Sequence, residues 1–339
     1  MMKAVYLVKK GNPFKAFEIR ETTKPVPQKD EVLIKTDVSG LNFADVVARN
    51  GMYKEAPPIP CVLGYDIAGI VESAGQDITH VQPGDRVMAM TRFGGYAEYA
   101  VTKGAAVAKI LPGISNSEAT ALATQYCTAY YAAAHAVNLC RGDKVLIHAG
   151  AGGVGTALIQ YARHKECEIF STAGSNEKVQ YLQALGVHHA INYNSTRFEQ
   201  AVNDITGGKG VDVIFDAIGG SSVKKGIKLL QAGGRMVCYG ASGMNDKNLF
   251  GKIAAALGFG FYHPVMLMMP SKAIIGVNML QIADHKPQLM HQCLNAVVQL
   301  AAEGIFKPKL GKVFQVSQIA EAHEYLEKRA STGKVVVQW

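Results

Sequence analysis

The residues whose types and spacing promise the most definite chemistry are three glycines. Gly150, Gly152 and Gly155, in HAGAGGVG, form a G-x-G-x-x-G pattern directly after the apolar run KVLIHA and directly before a helical segment running from Val154 to about Lys165. In that order of strand, turn and helix each glycine has a task. The first permits a tight turn, the second lets backbone approach a pyrophosphate, and the third allows the helix to pack closely on the strand. The helix start, with the backbone N–H groups of Gly153 and Val154, adds positive dipole and donors suited to phosphates. The expected ligand is a dinucleotide.

A site for NAD usually presents Asp or Glu about twenty residues further on, at the end of the second strand, to bind the ribose hydroxyls. Here that strand ends in FSTAGSNEK, with Gly174 and Ser175 where the acid would sit and Lys178 one turn into the next helix. A missing carboxylate and a nearby cation suit a 2'-phosphate, so NADPH is expected. Lys178 alone would read as a solvated helix lysine. The assignment therefore needs the further residues named below.

The elements around these motifs divide the chain in two. Up to about Lys109 the sequence reads as short strands and turns: VLIKTDVSGLN, DIAGIVESAG, PGDRV, GGYAEYAV. From Gly142 strand and helix alternate, with strands at Glu168 to Ala173, Val211 to Asp216 and Arg235 to Tyr239 and helices at Glu177 to Leu185, Phe198 to Ile205 and Ser222 to Leu230. Such alternation implies an α/β fold with a doubly wound parallel sheet. A strand-like AIIGVNM follows, then helices around Leu289 to Ala302 and Ile319 to Arg329 and a closing strand KVVVQW.

Composition narrows the class. With 48% hydrophobic and 18% charged residues in 339, the chain is globular and long enough for two cores. The formal charge of +8 is dispersed among acids and forms no basic stripe, so no nucleic-acid partner is expected. Met1 to Lys10 lacks the apolar run of a signal peptide, and the most apolar stretch, Ile253 to Tyr262, falls short of a membrane span. A cytoplasmic protein without a transmembrane segment is expected. The six cysteines are scattered, with no Cys-x-x-Cys pair.

Several segments together resemble the zinc-independent quinone oxidoreductase branch of the medium-chain dehydrogenase/reductase superfamily: GLNFADVVARNGMY (Gly40 to Tyr53), PGDRV, GGYAEYAV, TAYYAAA and the AGGVG loop. The apolar, Met-rich stretch from Asn248 to Asn278 is similar to the synaptic-vesicle membrane protein relatives in that branch. The resemblance implies a GroES-like β-barrel catalytic domain formed by residues 1–125 and 270–339, a Rossmann NADPH-binding domain at 126–269, a cleft between them, and a homodimer. Zinc-dependent cousins carry a cysteine and a histidine where this chain has Asn42 and Tyr65, neither a good zinc ligand, and their four-cysteine lobe is missing. No metal is expected. Carried over by position, the 2'-phosphate contacts would be Gly174, Lys178, Tyr193 and Arg329, and Thr128 would approach the nicotinamide.

Hydride transfer needs something to stabilise charge on the acceptor oxygen. Without zinc, the first domain offers the Asn42 amide and the Tyr53 hydroxyl as donors, and these are the expected catalytic residues. Asp45 reads either as an orienter of Asn42 or as a capping aspartate, Tyr65 as a pocket wall, and His148, beside the glycine loop, as structural. A quinone or enone, which spreads charge by conjugation, fits neutral donors better than an isolated ketone does. Two other readings stay open: an enoyl or alkenal/one reductase, and a cofactor-binding lipid or membrane adaptor suggested by the apolar stretch after Asn248.

Overall fold

The computed structural model describes residues 1–244, 251 and 257–339. The chain separates into two units, Met1–Cys127 with Met279–Trp339, and Thr128–Asn278. In the first unit the period-two patterns seen in the sequence become a strongly bent sheet. Its strands lie in the order Leu310–Gln315, Lys334–Gln338, Glu31–Leu41, Asp66–Ala74, Arg86–Met90 and Val107–Lys109. The long strand Glu31–Leu41 changes partner along its length. Residues 38–41 pair with Lys334–Gln338, while residues 31–35 pair with Tyr99–Lys103. A three-stranded sheet of Phe17–Thr22, Met2–Leu7 and Cys61–Val62 completes this GroES-like unit.

The bend has a local cause. Between Glu31–Leu41 and Asp66–Ala74 the register shifts, with Thr36 opposite Gly69 but Val38 opposite Ala68, so Asp37 bulges out. A bulge sharpens the twist and turns a strand away from its neighbour. Gly69 sits at this corner, where a Cβ would fall 2.0 Å from the Lys35 carbonyl oxygen. Val32, Ile34, Ile67, Val71, Val87, Ala89, Ala100 and Val107 fill the concave side.

The second unit is the α/β half. Its six strands run parallel in the order His189–Asn192, Glu168–Ala173, Lys144–Ile147, Val211–Asp216, Leu230–Cys238 and Ala273–Gly276. Numbered by sequence this is 3-2-1-4-5-6, the doubly wound dinucleotide order, with the topological switch between Lys144–Ile147 and Val211–Asp216. Helices Gly153–His164, Asn176–Ala184, Phe198–Thr206 and Ser221–Leu229 make the crossovers.

The differences from the sequence reading are local. The strand Ala273–Gly276, assigned there to the segment returning to the first domain, pairs in register with Arg235–Cys238 and belongs to the second unit. Strand Leu230–Cys238 begins earlier than Arg235, and the short strand His189–Asn192 was not read at all. Helical turns from Asn116 to Ala136 also went unread, because Ala119, Ala121, Leu122, Ala123, Tyr126, Cys127, Ala129, Ala132 and Ala133 are all buried and leave no clean polar face. Of the apolar stretch Ile253 to Tyr262, residues 253–256 lie outside the described residues; among those described, no helix is long and apolar enough to cross a membrane.

Gly69→Ala is expected to destabilise the first unit by about 1–3 kcal/mol, because the added methyl overpacks a backbone contact. Urea unfolding checks it, and a change below roughly 0.5 kcal/mol, the range of an uninvolved surface site, would show that the bulge does not need the close approach.

Candidate active site

In the second unit the chain leaves strand Lys144–Ile147 through His148 and Ala149, and Ala149 takes a left-handed φ of 53°. The turn is then closed by glycine. A Cβ on Gly150 would lie 1.9 Å from Ser171 Oγ, and one on Gly155 would lie 2.5 Å from the Ala149 oxygen and 2.6 Å from Gly150 Cα. The fold itself demands glycine at both places. At Gly152 a Cβ would meet only the Ala149 oxygen, at a tight 3.3 Å, and its outer side is open to an approaching group. This glycine caps helix Gly153–His164 without any side-chain cap. The cradle fits a pyrophosphate laid on the helix start at Gly153 and Val154.

The next strand end carries the discriminating geometry. Ser175 Oγ accepts from Lys178 N at 3.3 Å and starts helix Asn176–Ala184. Tyr193, 44% exposed, lies across Gly174 so closely that a Cβ there would be 2.4 Å from its hydroxyl oxygen. Asn194 Nδ2 donates to the Gly174 carbonyl at 2.8 Å and fixes the same loop. Gly174, Ser175, Lys178 and Tyr193 thus gather at one strand end, where no carboxylate stands in the position of an NAD site's ribose-binding acid. Asp216, at the end of Val211–Asp216, accepts from Ile218 N at 2.8 Å, Gly219 N at 2.7 Å and Ser222 Oγ at 2.6 Å, and so shapes the loop beside the switch point. His148 is buried, shares a 3.0 Å hydrogen bond with Thr172 Oγ1, and is kept neutral by burial. Thr128 is the first residue of this unit and half-buried; Arg329 stands exposed in the first unit, after helix Ile319–Glu327, with a φ of 54°.

The first unit brings together Asn42, Asp45, Tyr53 and Tyr65. Asn42 caps helix Phe43–Arg49, and Asp45 reaches back with Oδ2 to the Asn42 N–H at 2.8 Å while Oδ1 accepts from Gly64 N at 3.1 Å. Asp45 is fully buried, so it clamps two backbone segments instead of facing a pocket. Burial pushes its pKa up to about 7 and the Asp66 charge adds to this, against the pull of the two N–H bonds and of Lys334. Tyr65 is 4% exposed and packs on Tyr53 and Phe93, with ring centroids 6.0 and 5.1 Å apart. Tyr53 is the more open of the two phenols; burial, with the charges of Glu55 and Asp45, raises its pKa to about 12. It therefore stays a neutral donor through the physiological range.

Two residues of this cluster were missed from the sequence. Lys334 Nζ donates to Asn42 Oδ1 at 3.0 Å and to Asp66 Oδ2 at 2.7 Å, and Asn42 Nδ2 donates to the same Asp66 oxygen at 3.0 Å. The Asn42 amide, 6% exposed, is thus partly engaged, with one Nδ2 hydrogen left to give. An amide, a phenol and an ammonium do not make a zinc site, and among the described residues no three His, Cys, Asp or Glu side chains converge as metal ligands.

Residues 28–113 match the alcohol dehydrogenase GroES-like domain family, and residues 185–337 the zinc-binding dehydrogenase family. Human quinone oxidoreductase is 30% identical over 340 residues, covering 99% of this chain and 98% of that protein. This chain belongs to the quinone oxidoreductase branch of the medium-chain dehydrogenases/reductases. Within that branch it is also 31% identical to the synaptic vesicle membrane protein VAT-1 homolog of Danio rerio, over 93% of this chain and 65% of that protein. Among solved structures, Escherichia coli quinone oxidoreductase complexed with NADPH superposes with a TM-score of 0.87 at 26% identity, over 99% of this chain and all of that one.

The raised pKa of Asp45 gives the first unit a pH dependence of definite sign. The folded state holds the Asp45 proton more tightly than the unfolded chain, where the pKa is 3.8, so this contribution to stability is complete below about pH 3.8 and is lost as pH rises to about 7. Asp45→Asn is uncharged throughout. Its stability relative to the parent is expected to improve by roughly 1.4 kcal/mol per pH unit between pH 4 and 7. Parallel denaturation curves in that window measure it, and a constant difference would mean that Asp45 titrates normally.

Proposed function

We propose that this protein reduces a quinone or a related conjugated carbonyl by hydride transfer from NADPH, without zinc. The observation that supports the reading is the strand end at Gly174, which carries no carboxylate, has Tyr193 lying over it and leads into the helix that bears Lys178. The glycine cradle at 150–155 would hold the pyrophosphate, Lys178 and Arg329 would meet the 2'-phosphate, and Thr128 would approach the nicotinamide. Bound NADPH supplies the hydride.

The remaining work falls to this chain's own groups. The Tyr53 hydroxyl and the free Nδ2 hydrogen of Asn42 meet the substrate oxygen, where negative charge grows as the hydride arrives. Tyr65 holds the Tyr53 ring on edge, and Asp45 holds the Asn42 backbone. Two neutral donors suit an acceptor that delocalises its charge, which supports quinones and enones over isolated ketones. Following the family resemblance, the protein acts in the cytoplasm as a homodimer. A second reading, a membrane adaptor, is favoured by the exposed Phe261, Met266, Met268 and Met269; binding to anionic vesicles by a protein that turns over no quinone, enal or enoyl thioester would establish it.

NADPH is expected to bind more tightly than NADH, and Lys178→Ala or Arg329→Ala to weaken NADPH alone by about 1.5–3 kcal/mol, the worth of one charge-assisted hydrogen bond. Titration calorimetry checks this; equal affinities in the parent protein would remove the NADPH assignment. Tyr53→Phe keeps the ring and removes the donor. Its turnover number with saturating quinone is expected to fall by one to three orders of magnitude, about 1.4–4 kcal/mol, with NADPH affinity unchanged. A deuterated cofactor verifies that chemistry limits the rate, and full turnover under that condition would leave Tyr53 as a pocket wall.

A further inference from the structure

The ion pair Lys334–Asp66 has no task in the reaction proposed above, yet the first unit is shaped to hold it. Both side chains are fully buried. Position 40 makes the room, since a Cβ there would fall 2.1 Å from Asp66 Oδ1 and 2.4 Å from Lys334 Cε. Three adjacent strands fix the place, with Gly40 opposite Asp66 on one side and Val336 on the other. Replacing a buried ion pair by apolar side chains is often neutral or stabilising, so stability alone does not account for the arrangement.

Its effect is on Asn42. An ammonium only donates and a carboxylate only accepts. With Nζ on Asn42 Oδ1 and Nδ2 on Asp66 Oδ2, the amide cannot turn over, because its NH2 would then face the ammonium and its carbonyl the carboxylate. One Nδ2 hydrogen is spent on Asp66, and the amide plane then fixes the direction of the other. A cation at the carbonyl end and an anion at the NH2 end also deepen the charge separation of the amide in the same sense, and hydrogen bonds linked this way in a low dielectric strengthen one another.

We propose that Lys334 and Asp66 are positioning residues that lock and polarise the Asn42 amide, so that its second Nδ2 hydrogen is presented to the reacting oxygen. The proposal rests on the hydride-transfer function above.

Lys334→Met/Asp66→Leu removes both charges together and strands neither. The variant is expected to fold and to bind NADPH as the parent does, while its turnover number with quinone drops about 10- to 100-fold and KM changes little. The same pair of changes made in Asn42→Ala is expected to add almost nothing, since the effect runs through the missing amide. Should the apolar pair fail to fold, Lys334→Met/Asp66→Asn takes its place with the same outcomes. Side-chain amide spectra of protein labelled with 15N-asparagine supply a readout free of catalysis. The Asn42 pair is expected as two separate, displaced proton signals that move or merge when the charges go.

Turnover within about twofold of the parent, an equal loss in the Asn42→Ala background, or unchanged Asn42 signals would each overturn the proposal. If the parent protein reduces no quinone, enal or enoyl thioester, the function proposed above fails instead. The spectra then still decide whether Lys334 and Asp66 lock the amide.

Discussion

The polar cluster of the first unit is arranged round one buried contact between charges. Lys334 and Asp66 meet at 2.7 Å out of reach of water, and Asn42 closes the ring. Taking either charge out of solvent costs several kcal/mol, and the cost is offset only while both partners and their hydrogen bonds stay in place. Everything nearby serves that condition. Gly40 vacates the space, the bulge at Asp37 bends the long strand round it, and the Asp45 clamp ties the Asn42 backbone to Gly64.

The second unit solves a different problem by different means. Among the described residues no comparable ion pair lies at its glycine loop; backbone is brought close to backbone. Gly150 and Gly155 are required by the protein's own packing, whereas at Gly152 a Cβ would meet a single tight backbone contact, a distinction that the three-glycine pattern alone does not make. Gly174 belongs to the first kind as well, since Tyr193 fills the space that its side chain would take.

How far the sequence could be read follows from distance along the chain. The strands and helices of the second unit come from contiguous runs, each with its own periodicity, and their order alone implied the doubly wound sheet. The glycine loop and the residues after Ala173 were legible for the same reason. Lys334 was not. In GKVVVQW it looks like the solvated start of a surface strand, and nothing local reveals a partner 268 residues away. Asp66 was equally hidden, one residue beyond the Tyr65 that drew attention. Ala273–Gly276 was misassigned because periodicity shows a strand without showing which sheet it joins.

The interrupted layout of the first unit has a consequence for how the chain is made. The second unit draws on one unbroken segment, residues 128–278, and all its strands are available once that segment has been synthesised. The first unit cannot close until Lys334–Gln338 has paired with Val38–Leu41, across the whole length of the other unit. Until then Asp66 lacks its counter-ion, and the carboxylate must stay hydrated. During elongation all strands of the second unit therefore exist before the first unit receives a single amine, which follows Asp66 only after residues 128–278 have been made.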